Sequence, residues 1–535
     1  MIMSFCLVFV CVGCGKEKAE EGVQNSGSSG SIATESLNLD EMFTDRDKEI
    51  GYDEDAAAKI TFNNDEIICE SGNVSISDCV ATIKREGTYI LCGNLTDGQL
   101  IIDVADTEKV QLVLDNADIT CKNSAAIYIK EADKVFITLG KNSENTLISD
   151  GEFVNIDDNN IDGVIFSKAD LTLNGEGALN IKTENGHGIV SKDDLAVTSG
   201  SINITASSHA LSGKDSVRIA GGSLTLISGK DGIHAENSDD ATLGFVYIEN
   251  GTFEIDSEDD GITAAAQLVI AGGDINIKNS SEGLAGMTID ISGGNINIVS
   301  RDDGINAASG NTNGMMGDSS TYINISGGKI YVNASGDGID SNGNLYVSGG
   351  ETYVSGPVNS GNGALDYAIE GKITGGIFVA TGASGMAQNF SDSSTQCSML
   401  VSVQNMIQGE IVLKNSSNEE LVTFTPETAY NSVVISTPDI KTGETYMVLM
   451  EDEETSVKME GTIYGGGMNG FNNNRGGGGG NRHQQDRGEK STDMMGMPGN
   501  MGERPTDMSE PPEEMEFREN MEERPRDMSE FPDGI

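Results

Sequence analysis

A pattern that returns every 21 or 22 residues constrains this chain more than any other feature. Gly200-Ser-Ile-Asn-Ile204 is followed by Gly222-Ser-Leu-Thr-Leu226, Gly251-Thr-Phe-Glu-Ile255, Gly273-Asp-Ile-Asn-Ile277 and Gly294-Asn-Ile-Asn-Ile298. Gly328-Lys-Ile-Tyr-Val332 and Gly350-Glu-Thr-Tyr-Val354 continue the series. Successive glycines are 22, 29, 22, 21, 34 and 22 residues apart, and the two long intervals hold polar insertions near 237–243 and 309–320. A second marker keeps the same phase: Asp231-Gly-Ile, Asp260-Gly-Ile, Glu282-Gly-Leu, Asp303-Gly-Ile and Asp337-Gly-Ile. Between them falls a third apolar segment, as in Leu268-Val-Ile, Thr288-Ile-Asp-Ile, Tyr322-Ile-Asn-Ile and Leu345-Tyr-Val.

Three short alternating segments per period, each bounded by glycine, read as the three strands of one solenoid coil. Alternation puts Ile275 and Ile277 on one face, and likewise Ile296 and Ile298. Stacking the coils turns such pairs into continuous inward ladders, which buries a face that no single coil can bury alone. Glycine at the corners permits the positive-φ turns of a compact coil. Separate hairpins have no reason to keep three markers in phase. The expected fold is all-β: a right-handed parallel β-helix of about 22 residues per coil over residues 61–397, with a small β cap over 398–464. Few aromatics (5%), no Trp and 68 Gly in 535 residues suit such a chain and not a helical bundle.

The flanks are different in kind. Residues 1–14 read as a lipoprotein signal, since an apolar run to Val12 ends at Cys11-Val-Gly-Cys14 and the chain then turns polar. Cys14 is the expected lipidation site, giving an extracellular protein that meets the membrane only through its anchor. Cys11 stands where Leu is usual, and no Lys or Arg precedes the run. Residues 15–60 read as a disordered tether, and 465–535, rich in Gly, Met, Glu and Pro, as a disordered tail. The five remaining cysteines, Cys69, Cys79, Cys92, Cys121 and Cys397, form no disulfide framework or zinc motif.

Asp+Glu outnumber Lys+Arg by 85 to 33, a net charge of −52. That excludes a nucleic-acid partner and favours metal cations, although solubility alone accounts for it equally well. The period aligns Asp231, Asp260, Glu282, Asp303 and Asp337 on one edge, about 4.8 Å apart. Asp259, Asp302 and Asp340 lie alongside. Carboxylates at that spacing repel unless a cation bridges them, and calcium takes six to eight oxygens. The competing reading is that each Asp caps its own turn; His187 and His209 hold the column position in two earlier coils and favour capping there. Outward on the glycine-marked strand come Asn203, Thr225, Glu254, Asn276, Asn297, Tyr331 and Tyr353. An amide ladder accounts for the asparagines, whereas Tyr331 and Tyr353 are candidates for stacking sugar rings.

No nucleophile-base spacing, phosphate loop or HExxH motif is present. The enzymatic alternative is a calcium-dependent polyuronate lyase with Lys230 or Arg301 as base; a third reading is a structural adhesin.

The chain also resembles the β-helical carbohydrate-binding lipoproteins of clostridia and related bacteria, whose described members are similar in fold to polysaccharide lyases. The matching segments include Gly87-Thr-Tyr-Ile-Leu91 with Asp97-Gly-Gln-Leu-Ile-Ile102, Val110-Gln-Leu-Val-Leu-Asp-Asn-Ala-Asp-Ile119 and Ala125-Ala-Ile-Tyr-Ile129. Ser394-Thr-Gln-Cys397, Tyr430-Asn-Ser-Val-Val-Ile-Ser436 and Gly443-Glu-Thr-Tyr446 match as well. The resemblance implies a calcium-containing, non-catalytic binder of cellulose or acidic, pectin-like polysaccharide. A monomer is expected.

Overall fold

The computed structural model describes residues 37–154, 156–157, 159–309 and 317–466. They lie within one compact unit, Met1–Asn474, while the second unit, Arg475–Ile535, lies outside the described residues. So do the expected signal at 1–14 with Cys14, the tether up to residue 36, and the tail from 467.

The repeat folds as a parallel β-helix of about eleven turns. One coil comprises Ile233–Ala235, Phe245–Ile248 and Thr252–Ser257. Each strand pairs in parallel with its counterpart one coil away, so Thr252–Ser257 lies between Ser223–Ser228 and Asp274–Asn279. Leu224, Phe253, Ile275, Ile296 and Ile330 occupy one register position in successive coils. All are at most 1% exposed. These are the inward ladders the alternation predicts. The hydrophobic core is therefore a column along the axis, renewed at every coil.

The two glycine markers serve different physical needs. Gly273, which opens a strand, has φ +100°, a conformation L side chains rarely adopt. The glycine of the Asp-Gly-Ile marker is there for closeness instead. A Cβ on Gly283 would sit 2.3 Å from Ile298 Cγ2 and 2.4 Å from the Gly304 carbonyl oxygen of the next coil. Positive φ thus accounts for only half of the glycine pattern.

The stack stops where its strand direction reverses. Ile377–Gly382 pairs in parallel with Glu351–Ser355 on one side and antiparallel with Tyr430–Ser436 on the other. Beyond it, Glu420–Phe424, Ile411–Lys414, Thr445–Met450 and Glu453–Lys458 form a separate four-stranded antiparallel sheet. That sheet has its own core, including Ile411, Leu413, Val448 and Met450.

The expected tether needs correcting over residues 37–60. Ala58–Asn64 is already a strand, paired in parallel with Gly87–Leu95. Ahead of it, the short helix Asp45–Lys48 lies on the coils, with Thr44 and Asp47 forming a capping box. Asp47 is buried, 2.7 Å from Lys134 Nζ, and accepts a hydrogen bond from Thr172 Oγ1 at 2.6 Å. Its backbone carbonyl accepts from Asn174 Nδ2 and Thr198 Oγ1. Burial alone would raise its pKa, but the bonds from Lys134, Thr172 and Thr44 outweigh that and hold it well below the usual carboxylate range. Polar composition suggested a solvated segment; polar partners on the solenoid surface bind it down.

Gly283→Ala is expected to destabilise the solenoid by about 1–3 kcal/mol, the range for overpacking a close contact. A thermal melt followed by circular dichroism should show a lower midpoint. Gly461→Ala, whose Cβ would meet nothing within 4 Å, should leave it unchanged.

Candidate functional site

The residue before each Asp-Gly-Ile glycine lies at a corner between strands, and the coil-to-coil hydrogen bonds bring these corners into line. Gly232 N donates to the Asp260 carbonyl at 3.0 Å, Gly261 N to Glu282 at 2.9 Å, Gly283 N to Asp303 at 3.0 Å and Gly304 N to Asp337 at 2.9 Å. The acidic column is therefore real as a geometric object. One oxygen of each aspartate is used for capping, but of the next coil and not of its own turn. Asp231 Oδ1 accepts from Asp260 N at 3.2 Å, Asp260 Oδ1 from Glu282 N at 3.0 Å and Asp303 Oδ1 from Asp337 N at 2.6 Å. Asp337 Oδ1 accepts from Gly363 N. Capping and cation binding are thus not exclusive, since a carboxylate has a second oxygen.

A second ladder runs beside the first, three residues further on, through His234, Thr263, Ala285, Asn306, Asp340 and Asp366. Where both ladders are acidic, Asp303, Asp337 and Asp340 bring carboxylate oxygens within 4.8 Å of one another; Asp231, Asp259 and Asp260 make a second such group. Glu282 and Asp302 join neither group. Glu282 instead accepts a 2.8 Å bond from Asn306 Nδ2, and Asp302 is exposed.

Burial, reinforced by like charges, pushes the column's carboxyls upward from Asp260 onward, whereas Asp231, despite its burial, is held well below the usual carboxylate range by bonds from His209 and His234. Asp260 and Asp303 rise to about 6, Glu282 to about 7 and Asp340 to about 8. Asp337 and Asp366 are also raised. Coupled, half-buried acids are what a hard cation would relieve. The donor set fits one: Asn306 Oδ1, next to Asp340 in register, is buried without a hydrogen-bond partner. Carboxylate and amide oxygens of this kind suit calcium.

The outward tyrosines form a different feature. Tyr331 and Tyr353 stack with centroids 5.2 Å apart and planes 14° from parallel, and Phe424 of the C-terminal sheet packs on Tyr353 at 5.3 Å. Coil spacing makes the rings cover one another, so they line a cleft of about 650 Å³ together with Asn297, Lys329 and Glu427. Lys329 Nζ lies 5.2 Å from the Tyr331 ring centre. The amide ladder forms in part: Asn203 Nδ2 donates to Asn180 at 3.0 Å and Asn276 Nδ2 to Glu254 at 3.1 Å.

The model of the family described as "Carbohydrate-binding domain-containing protein" matches residues 77–361, more than half of the 535-residue chain. The chain belongs to that family. A carbohydrate-binding domain-containing protein of Acetivibrio thermocellus is 36% identical over 156 residues, which cover 28% of this chain and 54% of the relative. The chain thus spans about half the length of that relative. A solved structure, the polysaccharide lyase-like protein from C. thermocellum in its gadolinium derivative, is 32% identical. It covers 48% of this chain and 98% of its own, with a TM-score of 0.40. Tyr331, Tyr353 and the whole acidic column lie inside the carbohydrate-binding family's match.

Of the two cations considered as a base, Arg301 is tied down. Its Nη1 lies 3.3 Å from both Glu258 Oε2 and Asn279 Oδ1, and Nη2 donates to the Glu258 carbonyl. Lys230 is exposed beside a stack of three histidines. Rings of His187 and His209 are 5.0 Å apart, and those of His209 and His234 4.2 Å. The 22-residue spacing of His187, His209 and Asp231 was the available signal. Asp366 was missed because Gly363 stands in its coil where an acid marks the others. Phe424 comes from outside the repeat and carries no period.

In the folded chain the raised carboxyls keep protons up to about pH 6–8, whereas unfolded they lose them near pH 4. The folded state binds more protons across that window, so stability falls as pH rises through it. Chelator-treated protein should unfold at lower denaturant at pH 8 than at pH 5, and added calcium should narrow the difference. A flat profile would refute this account of the column.

Proposed function

We propose that this chain is a calcium-dependent polysaccharide-binding protein of the cell surface, anchored through Cys14, with its glycan held in the Tyr331–Tyr353–Phe424 cleft. The observation that carries the reading is that cleft, in a chain of the carbohydrate-binding family. Aromatic rings, amides, a lysine and a carboxylate converge on one groove. Sugar rings present apolar C–H faces and many hydroxyls, which this mixture of surfaces complements. A cellulosic chain, or an acidic, pectin-like one, is the substrate class.

Calcium completes the account for an acidic glycan. The strand Lys329–Ala334 carries Tyr331 and leads directly into the corner at Asp337. An ion held by Asp303, Asp337 and Asp340 would cancel charge that otherwise repels uronates. It would offer open coordination positions to the glycan's own carboxylates.

The test is retention of the full chain on insoluble cellulose and on polygalacturonate, with calcium and with chelator, while assaying for unsaturated products. Retention lost in chelator, and about tenfold weaker in Tyr353→Ala, is expected; tenfold corresponds to about 1.4 kcal/mol, the scale of one aromatic contact. Unsaturated products would replace this reading with the lyase. Absence of retention on both polymers would replace it with the adhesin.

A further inference from the structure

Three of the chain's four histidines meet at the end of the acidic column, where its chemistry changes from oxygen to nitrogen. His234 Nδ1 lies 2.6 Å from Asp231 Oδ2, and His209 Nδ1 lies 3.3 Å from the same oxygen. We propose that His209, Asp231 and His234 form a binding site for a borderline divalent cation of the zinc class, separate from the oxygen-lined calcium positions. The three residues each bring a ligand atom within 4.8 Å of the others. Two imidazoles and one carboxylate suit zinc, copper or nickel, and poorly suit calcium, which takes oxygens.

The distances support this assignment. Ligands 2.0–2.1 Å from a tetrahedral ion lie roughly 3.3 Å apart. The His209–Asp231 pair already has that separation. The shorter His234–Asp231 contact is a hydrogen bond, and an ion that takes the proton's place opens it by roughly 0.7 Å. Binding also displaces the 3.2 Å bond that the Asp231 amide donates to His209 Nδ1. Asp231 is 4% exposed.

A surface concavity of about 340 Å³ opens onto the site, lined by His187, Lys192, His209, Ser212, Lys214 and His234. A three-residue site of this kind would leave a fourth coordination position for water or a ligand oxygen. The lysines do not prevent cation entry, since Lys214 pairs with Asp239 at 2.6 Å and Lys192 with Asp162 at 3.9 Å.

The test is equilibrium dialysis of the metal-stripped full chain against zinc, in a background of excess calcium. One saturable equivalent is expected, weakened at least ~100-fold in His209→Ala and in His234→Ala and retained in His483→Ala. Cobalt(II) loaded into the unaltered chain should show the intense visible absorption of a tetrahedral site. That second readout keeps the test decisive should either variant fold poorly. No saturable zinc, zinc competed away by calcium, or binding unchanged in both site variants would overturn the proposal, as would a six-coordinate cobalt spectrum.

Discussion

Every feature described above depends on one constraint: each coil is held to the next by parallel backbone hydrogen bonds that fix both its spacing and its register. A parallel pairing at about 4.8 Å puts each side chain beside the same position of the neighbouring coil. Whatever residue type the repeat places there is then multiplied along the axis. Isoleucine gains, because each side chain of the inward ladder finds apolar neighbours above and below. The close passage at Gly283, where a methyl group would meet the next coil's backbone, shows how little slack the register leaves.

The same multiplication is costly for charge. Asp260, Glu282, Asp303 and Asp337 cannot move apart without breaking the stack, so their carboxyls remain half-buried and near one another. Part of the cost is offset by bonding one oxygen to the next coil's amide. The rest is relieved by protons or by cations. At the other end of the column the same geometry stacks imidazoles on Asp231, where the acid and its neighbours have opposite electrical preferences. One edge of a uniform solenoid thus carries two kinds of ligand set, distinguished only by which side chains the repeat supplies.

The ends and flanks modify this regular object. The antiparallel strand Tyr430–Ser436 covers the last coil, whose edge would otherwise remain open for further pairing. The C-terminal sheet then reaches back along the outer face far enough to set Phe424 on Tyr353. At the other end of the chain, Asp47 fastens the helix Asp45–Lys48 across several coils through Lys134, Thr172, Asn174 and Thr198. Irregular segments therefore decide where the outer surface is groove and where it is covered.

The sequence by itself determined the period, the identity of the inward ladders and the alignment of the acidic column, because all three follow from local alternation and a fixed repeat length. Ile275 and Ile277 face inward for the same reason that Asp260 and Asp303 share an edge. Tertiary structure alone decided what lies between segments that share no period. Phe424 meets Tyr353 across 71 positions of sequence (424 − 353), and Asp47 meets Thr172 across 125. It also decided how neighbouring ladders combine: His234 and Asp340 sit three residues past the column in sequence, yet join it because the chain turns the corner there. Periodicity specifies which residues repeat along the axis; only the closed coil fixes which ladders stand side by side.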